Sequence, residues 1–170
     1  MSKTPSDAEL VRSFMDVLSV EQVEVNFFRG IATPNGQGRS FGGQVIAQAL
    51  ASAMSTIEDG RAAHSLHAYF MRPGDATKPV LYRVERDFDG RSFATRRVIA
   101  VQNGKPILNL AASFHVDEPG FEHQDPMPDV PMPEDLKTES ELAEPMRDQL
   151  PERYLAHLDI PRPIEFRPVE

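Results

Sequence analysis

Eighteen consecutive residues, SFGGQVIAQALASAMSTI (Ser40–Ile57), carry no charged side chain, although 26% of the chain is Asp, Glu, Lys or Arg. Few structures accept so long an uncharged segment. A membrane span has about the right length, but the polar side chains and the two glycines make insertion unfavourable. Val45, Ile46, Ala49, Leu50, Ala53, Met54 and Ile57 instead recur at helical spacing. The other positions are mostly alanine or an uncharged polar stripe of Gln44, Gln48, Ser52 and Ser55. A helix that is apolar or small on nearly every side is one enclosed by protein. The segment is therefore expected to be the core helix, buried all round.

The flanking sequence supplies what such a helix is buried against. Ser6 and Glu9 have capping-box spacing ahead of Leu10, Val11, Phe14, Met15 and Leu18, which predicts a short amphipathic helix. Val23–Gly30 is β-prone, and Thr33–Gly38 is a loop by its Pro, Asn and Gly content. After the core helix come four β-like runs: His64–Arg72, Val80–Phe88, Ser92–Gln102 and Lys105–Val116. Asp89-Gly90 and Asn103-Gly104 join the last three as hairpins. Val80, Tyr82, Val84 and Phe88 are expected on one face, and Leu108, Leu110, Ala112, Phe114 and Val116 on one face of the last strand.

From Glu118 the composition changes. Ten of the fifteen prolines lie between Pro119 and Pro168, and from Asp117 onward fifteen acids face five bases. Such a segment resists a packed core and reads as linker or surface wrap, with short helices expected in Glu141–Leu150 and Pro151–Leu158. The expected domains are residues 1–118, a linker over 119–162, and the opening strand of a further repeat over 163–170.

Composition excludes several function classes. With no cysteine there is no disulfide, no thiolate zinc site and no thiol nucleophile. The first residues lack the unbroken apolar core of a secretion signal, which predicts a cytoplasmic protein. A net charge of −8 disfavours nucleic acid, whose affinity rests on phosphate contacts. Between Arg72 and Lys105, however, eight bases outnumber four acids, which suits a small phosphorylated ligand.

A single core helix with a long antiparallel sheet around it is the α+β hotdog arrangement. SFGGQVIAQAL, HSLHAYFMRPGD, DGRSFATRRVIAVQNGKPI and ASFHVDEPGFEHQ, in that order and spacing, resemble the N-terminal half of the acyl-CoA thioesterase II family, the TesB-type double hotdogs. The resemblance implies hydrolysis of fatty acyl-CoA to free acid and CoA, without metal or other cofactor. It also implies two hotdog repeats in one chain, with a catalytic Asp, Thr and Gln in the second repeat, so none of the three is assigned to a residue here. Self-association, or pairing with a second repeat, is expected to cover the sheet edge and open face.

The candidate substrate-binding residues are Gly42, Gly43, Gln44, His64, Arg72, Arg91, Arg96 and Arg97. Gly42 and Gly43 either expose backbone N–H groups to an oxyanion at the positive end of the helix or let the helix start pack closely. Gln44 and Gln48 orient a water or a carbonyl, or are buried amides satisfied by backbone; neither is a general base at neutral pH. His64 and His67, three apart on a strand, are expected on opposite faces and cannot share a metal. Ser65, Ser92 and Ser113 lack the Gly-x-Ser-x-Gly elbow of a serine hydrolase. The four arginines suit CoA phosphates, or else form ion pairs on the sheet. Two other readings remain at this stage: a non-catalytic acyl-binding module, and a hydroxyacyl-thioester dehydratase. The second is disfavoured by the absence of any carboxylate between Arg39 and Glu58.

Overall fold

The computed structural model describes residues 5–33, 38–58, 60–158 and 160–169. Residues 34–37, most of the expected Thr33–Gly38 loop, lie outside these. The chain divides into two compact units, Met15–Gly120 and Phe121–Glu170 together with Met1–Phe14.

Helix α1 spans Asp7–Leu18 and begins with the expected capping box: the Ser6 amide and hydroxyl both donate to the Glu9 carboxylate, at 2.7 and 2.6 Å. Strands β1 (Val20–Glu24) and β2 (Phe27–Gly30) follow. The β-prone run is thus a tight hairpin rather than one strand. Its turn is made by Asn26 in the left-handed region (φ 61°), which asparagine tolerates better than most residues. Helix α2 is Gly42–Met54, and then come β3 (Ala62–Phe70), β4 (Val80–Asp89), β5 (Phe93–Gln102) and β6 (Lys105–His115). These strands form one antiparallel six-stranded sheet in the order β1-β2-β4-β5-β6-β3.

One side of α2 packs on β4, β5 and β6. Val45, Ala49 and Ala53 meet Val84, Val98, Ala100, Leu110 and Phe114 in a core from which water is excluded. Of the expected polar stripe Ser55 is exposed, whereas Gln44, Gln48 and Ser52 point inward and, with Thr56 just past the helix, are buried. Burying an amide or hydroxyl is costly unless it is hydrogen-bonded, and each of these is. Gln48 donates to the carbonyls of Val17 and Ile31 and accepts from the Tyr82 hydroxyl at 2.8 Å. Ser52 donates to the Gln48 carbonyl, and Thr56 accepts from the Arg96 guanidinium. The burial that engulfs Tyr82 pushes its hydroxyl pKa well above the ordinary value, so it remains a donor. Gly30 makes room for this cluster, since a Cβ there would lie 2.1 Å from the Gln48 Oε1.

The expectation of a helix buried all round is corrected. Phe41, at 76%, and Met54, at 52%, are exposed, while Ile46, Ala47, Leu50 and Ala51 are half-buried. Burial within the unit therefore accounts for only part of the lack of charge on this flank. Beyond it, the helix-facing side chains of β3, Leu66 and Phe70, are also exposed.

Of the register shifts in the sheet, two move residues off their expected faces. One between Arg86 and Phe88 moves Phe88 off the face it was expected to share with Val80, Tyr82 and Val84, leaving it 55% exposed. Another between Ala63 and Ser65 lies in β3.

The other unit contains α3 (Glu139–Ala143), a 3-10 segment at Glu144–Gln149 and α4 (Glu152–Leu158), where short helices were expected. Thr138 and Glu141 form a reciprocal capping box. Residues 163–169 do not form the expected strand, because a strand needs a ladder partner. They tie the unit together instead: Phe166 accepts from the Glu139 amide, and Arg167 donates to the Pro133 and Leu136 carbonyls. Among the described residues no helix is long and apolar enough to cross a membrane.

Gln48→Leu strips partners from the Tyr82 hydroxyl and the Val17 carbonyl, and we expect it to cost about 2–4 kcal/mol in urea unfolding. Tyr82→Phe should cost about 1–2 kcal/mol. In the double variant the two losses should fall short of additivity, because both substitutions remove the same Tyr82–Gln48 hydrogen bond.

Candidate functional site

The first turn of α2 borders a cleft of about 420 Å3. Phe41, the N-cap residue, makes no side-chain cap, and no acidic residue lies in the first turn. The first helical amides therefore meet no side-chain acceptor of their own. Gly42 lies under Phe70 and Gly43 under Phe41: a Cβ would sit 2.9 Å from one ring and 2.5 Å from the other. Both glycines thus serve close packing, whatever else their amides do.

Two loops complete the cleft and are sewn together by backbone. The Ser40 amide donates to the Gly74 carbonyl at 2.9 Å, and Ala76 donates to Gly38 at 3.1 Å. Arg39 and Asp75 form an isolated antiparallel bridge. Gln102, buried at the end of β5, fixes the second loop. Its carbonyl accepts from the Asp75 amide at 2.8 Å, and its amide group donates to the carbonyls of Asp75, Lys78 and Pro79. Arg39 and Arg72 line the result, with Val45, Phe70, Met71 and Ile107 as apolar wall. Arg72 donates one Nη1 hydrogen bond to the Pro106 carbonyl at 2.8 Å. The nearby Asp75 carboxylate is not part of the lining. It accepts from the Thr77 hydroxyl and amide, which hold its pKa below the usual carboxylate value.

The four candidate arginines separate. Arg72 is in the cleft. Arg96 is 1% exposed and points into the core. It donates to the Thr56 hydroxyl and carbonyl, the Phe88 and Thr95 carbonyls, and Asp89 at 2.6 Å. That uses all five guanidinium donors, so the phosphate role is withdrawn for Arg96. Arg97 lies on the sheet face away from α2, where two hydrogen bonds to Asp87 raise its pKa further. Arg91 is exposed at the β4–β5 hairpin.

Gln44 is likewise committed: its Oε1 accepts from the Thr33 hydroxyl at 2.7 Å and its Nε2 donates to the Ile31 carbonyl. It braces α2 rather than opening into the cleft lining.

The comparisons with known proteins fit this geometry. The family profile described as "Acyl-CoA thioesterase N-terminal domain" matches residues 31–115, half of the chain. The chain belongs to the acyl-CoA thioesterase family. Acyl-CoA thioesterase 2 of Haemophilus influenzae is 39% identical over 160 residues, covering 94% of this chain and 56% of that protein. Human acyl-coenzyme A thioesterase 8 is 42% identical over 162 residues, covering 90% of this chain and 50% of the relative. Among solved structures, the acyl-CoA thioesterase II TesB2 of Mycobacterium marinum superposes with a TM-score of 0.65 at 45% identity, over 71% of this chain and 45% of that one. A hot dog protein of Alicyclobacillus acidocaldarius gives the same TM-score at 25% identity, over 74% of this chain and 48% of that one. The fold is the hotdog, and the chain spans about half the length of the relatives it matches.

The bulge in β3 places the histidines differently from the expected opposite faces. His64 Nε2 lies 2.8 Å from the Ser113 hydroxyl, and His67 is paired in register with Ala111 on the same strand face as Ser113. Both therefore lie on the side away from α2, not in the cleft. His115 stacks on Phe93 at 4.2 Å and approaches Glu118 at 3.4 Å. No group of three or more His, Cys, Asp or Glu able to hold a metal occurs among the described residues. The cleft residue that sequence reasoning missed is Arg39, whose only signal was its place beside the uncharged segment.

Arg96→Met leaves three carbonyls and a hydroxyl without a donor, and should lower stability by about 2–4 kcal/mol in denaturant titration. Arg97→Met removes an exposed pair and should leave the melting temperature nearly unchanged. A large loss in the second and none in the first would reverse the assignment.

Proposed function

We propose that this chain forms the N-terminal half of a thioesterase that hydrolyses fatty acyl-CoA to free fatty acid and CoA. The observation that carries the reading is the cleft at the start of α2, with guanidinium groups beside an apolar wall and no carboxylate lining it among the described residues. An acyl-CoA has this amphipathic character: an apolar acyl chain and a multiply phosphorylated end.

Hydrolysis needs a base to activate water, donors for the oxyanion that forms when water oxygen attacks the thioester carbonyl, and a proton for the departing CoA sulfur. This half supplies binding surface and no evident base. No carboxylate lies on α2, and His64 is aimed at Ser113 on the far face. The base is assigned to a second hotdog repeat, in keeping with relatives about twice this length. That repeat, or a second copy of this chain, covers the exposed flank of α2 and pairs with the β3 edge. β3 carries no Lys, Asp, Glu or Pro to discourage such pairing. We place the hotdog repeat at 1–118, the linker at 119–162 and the next repeat from 163, and assign the protein to cytoplasmic fatty acid metabolism. The dehydratase reading lacks a histidine and a carboxylate converging at the cleft. A non-catalytic binding module remains the competing class.

The test is thioester hydrolysis by residues 1–170 and by a chain extended through a second repeat. We expect the extended chain to be active and residues 1–170 to bind long acyl-CoA weakly with turnover near background. Ordinary enzymatic rates from residues 1–170 would overturn this division of labour, and an inactive but binding extended chain would favour the non-catalytic module. By light scattering, residues 1–170 should self-associate at micromolar concentration, and Leu66→Glu should abolish the association; a stable wild-type monomer would contradict pairing between copies.

A further inference from the structure

We propose that the cleft at the start of α2 receives the phosphorylated end of CoA, held between Arg39 and Arg72, and not the thioester. The inference rests on the acyl-CoA reading above and adds to it which end of the substrate this half holds.

Charge is the first argument. Arg39 and Arg72 come from two different loops and both line the cleft, while no Asp or Glu does among the described residues. The one carboxylate close in sequence, Asp75, is turned to Thr77 and Lys78. The other arginines of the sheet are differently placed: Arg29, Arg83, Arg86, Arg96 and Arg97 each face a carboxylate. Two guanidinium groups facing a cavity without acids attract an anion of more than one charge.

Rigidity is the second. Arg72 is anchored at one nitrogen by the Pro106 carbonyl, leaving the rest of its donor fork for a ligand. The loop that follows it is held by four hydrogen bonds to buried Gln102. Arg39 is tied to the same loop through the Ser40–Gly74 and Gly38–Ala76 backbone bonds. The Arg72 fork and the backbone that carries Arg39 are thus set before any ligand arrives, which reduces the ordering cost of binding.

The third argument concerns what the thioester would need. Rings of Phe41 and Phe70 lie over Gly43 and Gly42, and the wall offers no side chain able to take or give a proton to water. These features suit the pantetheine arm or base of CoA better than a hydrolytic centre.

Calorimetric titration of residues 1–170 with CoA, dephospho-CoA, pantetheine and inorganic diphosphate tests this, alongside Arg39→Gln, Arg72→Gln and the control Arg83→Gln, whose guanidinium faces Glu85 outside the cleft. Arg72→Lys guards against a folding defect from the lost Pro106 contact, and melting curves check each variant. We expect CoA to bind, pantetheine to bind far more weakly, and each cleft variant to lose about tenfold or more in CoA affinity, with Arg83→Gln unchanged. Equal binding of dephospho-CoA assigns the diphosphate; weaker binding assigns the 3′-phosphate. CoA affinity unaltered in folded Arg39→Gln and Arg72→Gln, or pantetheine binding as tightly as CoA, overturns the proposal and returns the cleft to the thioester. Diphosphate binding that needs both arginines, with no CoA binding, keeps the anion site and sinks the acyl-CoA reading. Absence of binding by every probe overturns both.

Discussion

The buried polar stripe of α2 is the interaction on which the rest of the structure depends. Gln44, Gln48 and Ser52 recur every four residues and stack along one face of the helix, and Thr56, just past its C-terminal cap, extends the line. Apolar contacts are non-directional and would tolerate rotation of a helix this rich in alanine. Hydrogen bonds to Ile31, Thr33, Val17, Tyr82 and Arg96 do not, because each leaves a buried group unpaired if the helix turns. They fix the rotation of α2, and with it where the first turn meets the Arg39 and Arg72 loops. They also fix which flank faces outward.

That outward flank explains why the segment carries no charge although half of it is not buried. Phe41 and Met54 are exposed and Leu50 only half-covered by the core, and Leu66 and Phe70 on the helix side of β3 are exposed as well. An apolar flank beside an open strand edge is the surface of a fold that is completed by something else. The curated relatives, about twice as long, are consistent with a second repeat there.

Much of this was legible in the sequence. Glycine and asparagine marked the hairpins, and period-two alternation marked β4 and β6. What alternation could not settle was parity in β5, where Phe93, Ile99 and Val101 make the outer face as apolar as the inner face of Ala94, Val98 and Ala100. Arg96 and Arg97 are neighbours on opposite faces, and only the register with β4 and β6 decides which is buried. Bulges misled for a related reason: one extra residue resets the face of everything beyond it, as it did for Phe88 and His64. Arg39 escaped notice because its place beside Arg72 depends on pairing between loops far apart in sequence. The polar stripe was visible and so was the burial of Gln44 and Gln48; hidden was that Thr56, and not Ser55, continues it inward, since the chain leaves the helix there.

Hydrogen–deuterium exchange on residues 1–170 and on a chain extended through a second repeat tests the central claim most directly, that the rotation fixed by the stripe leaves one defined surface to be completed. The account predicts that in the extended chain new protection concentrates in β3 from Leu66 to Phe70, while amides near Gln48 and Tyr82 are already slow in both. New protection confined to the β1 edge, or amides around Gln48 exchanging freely in residues 1–170, would contradict it.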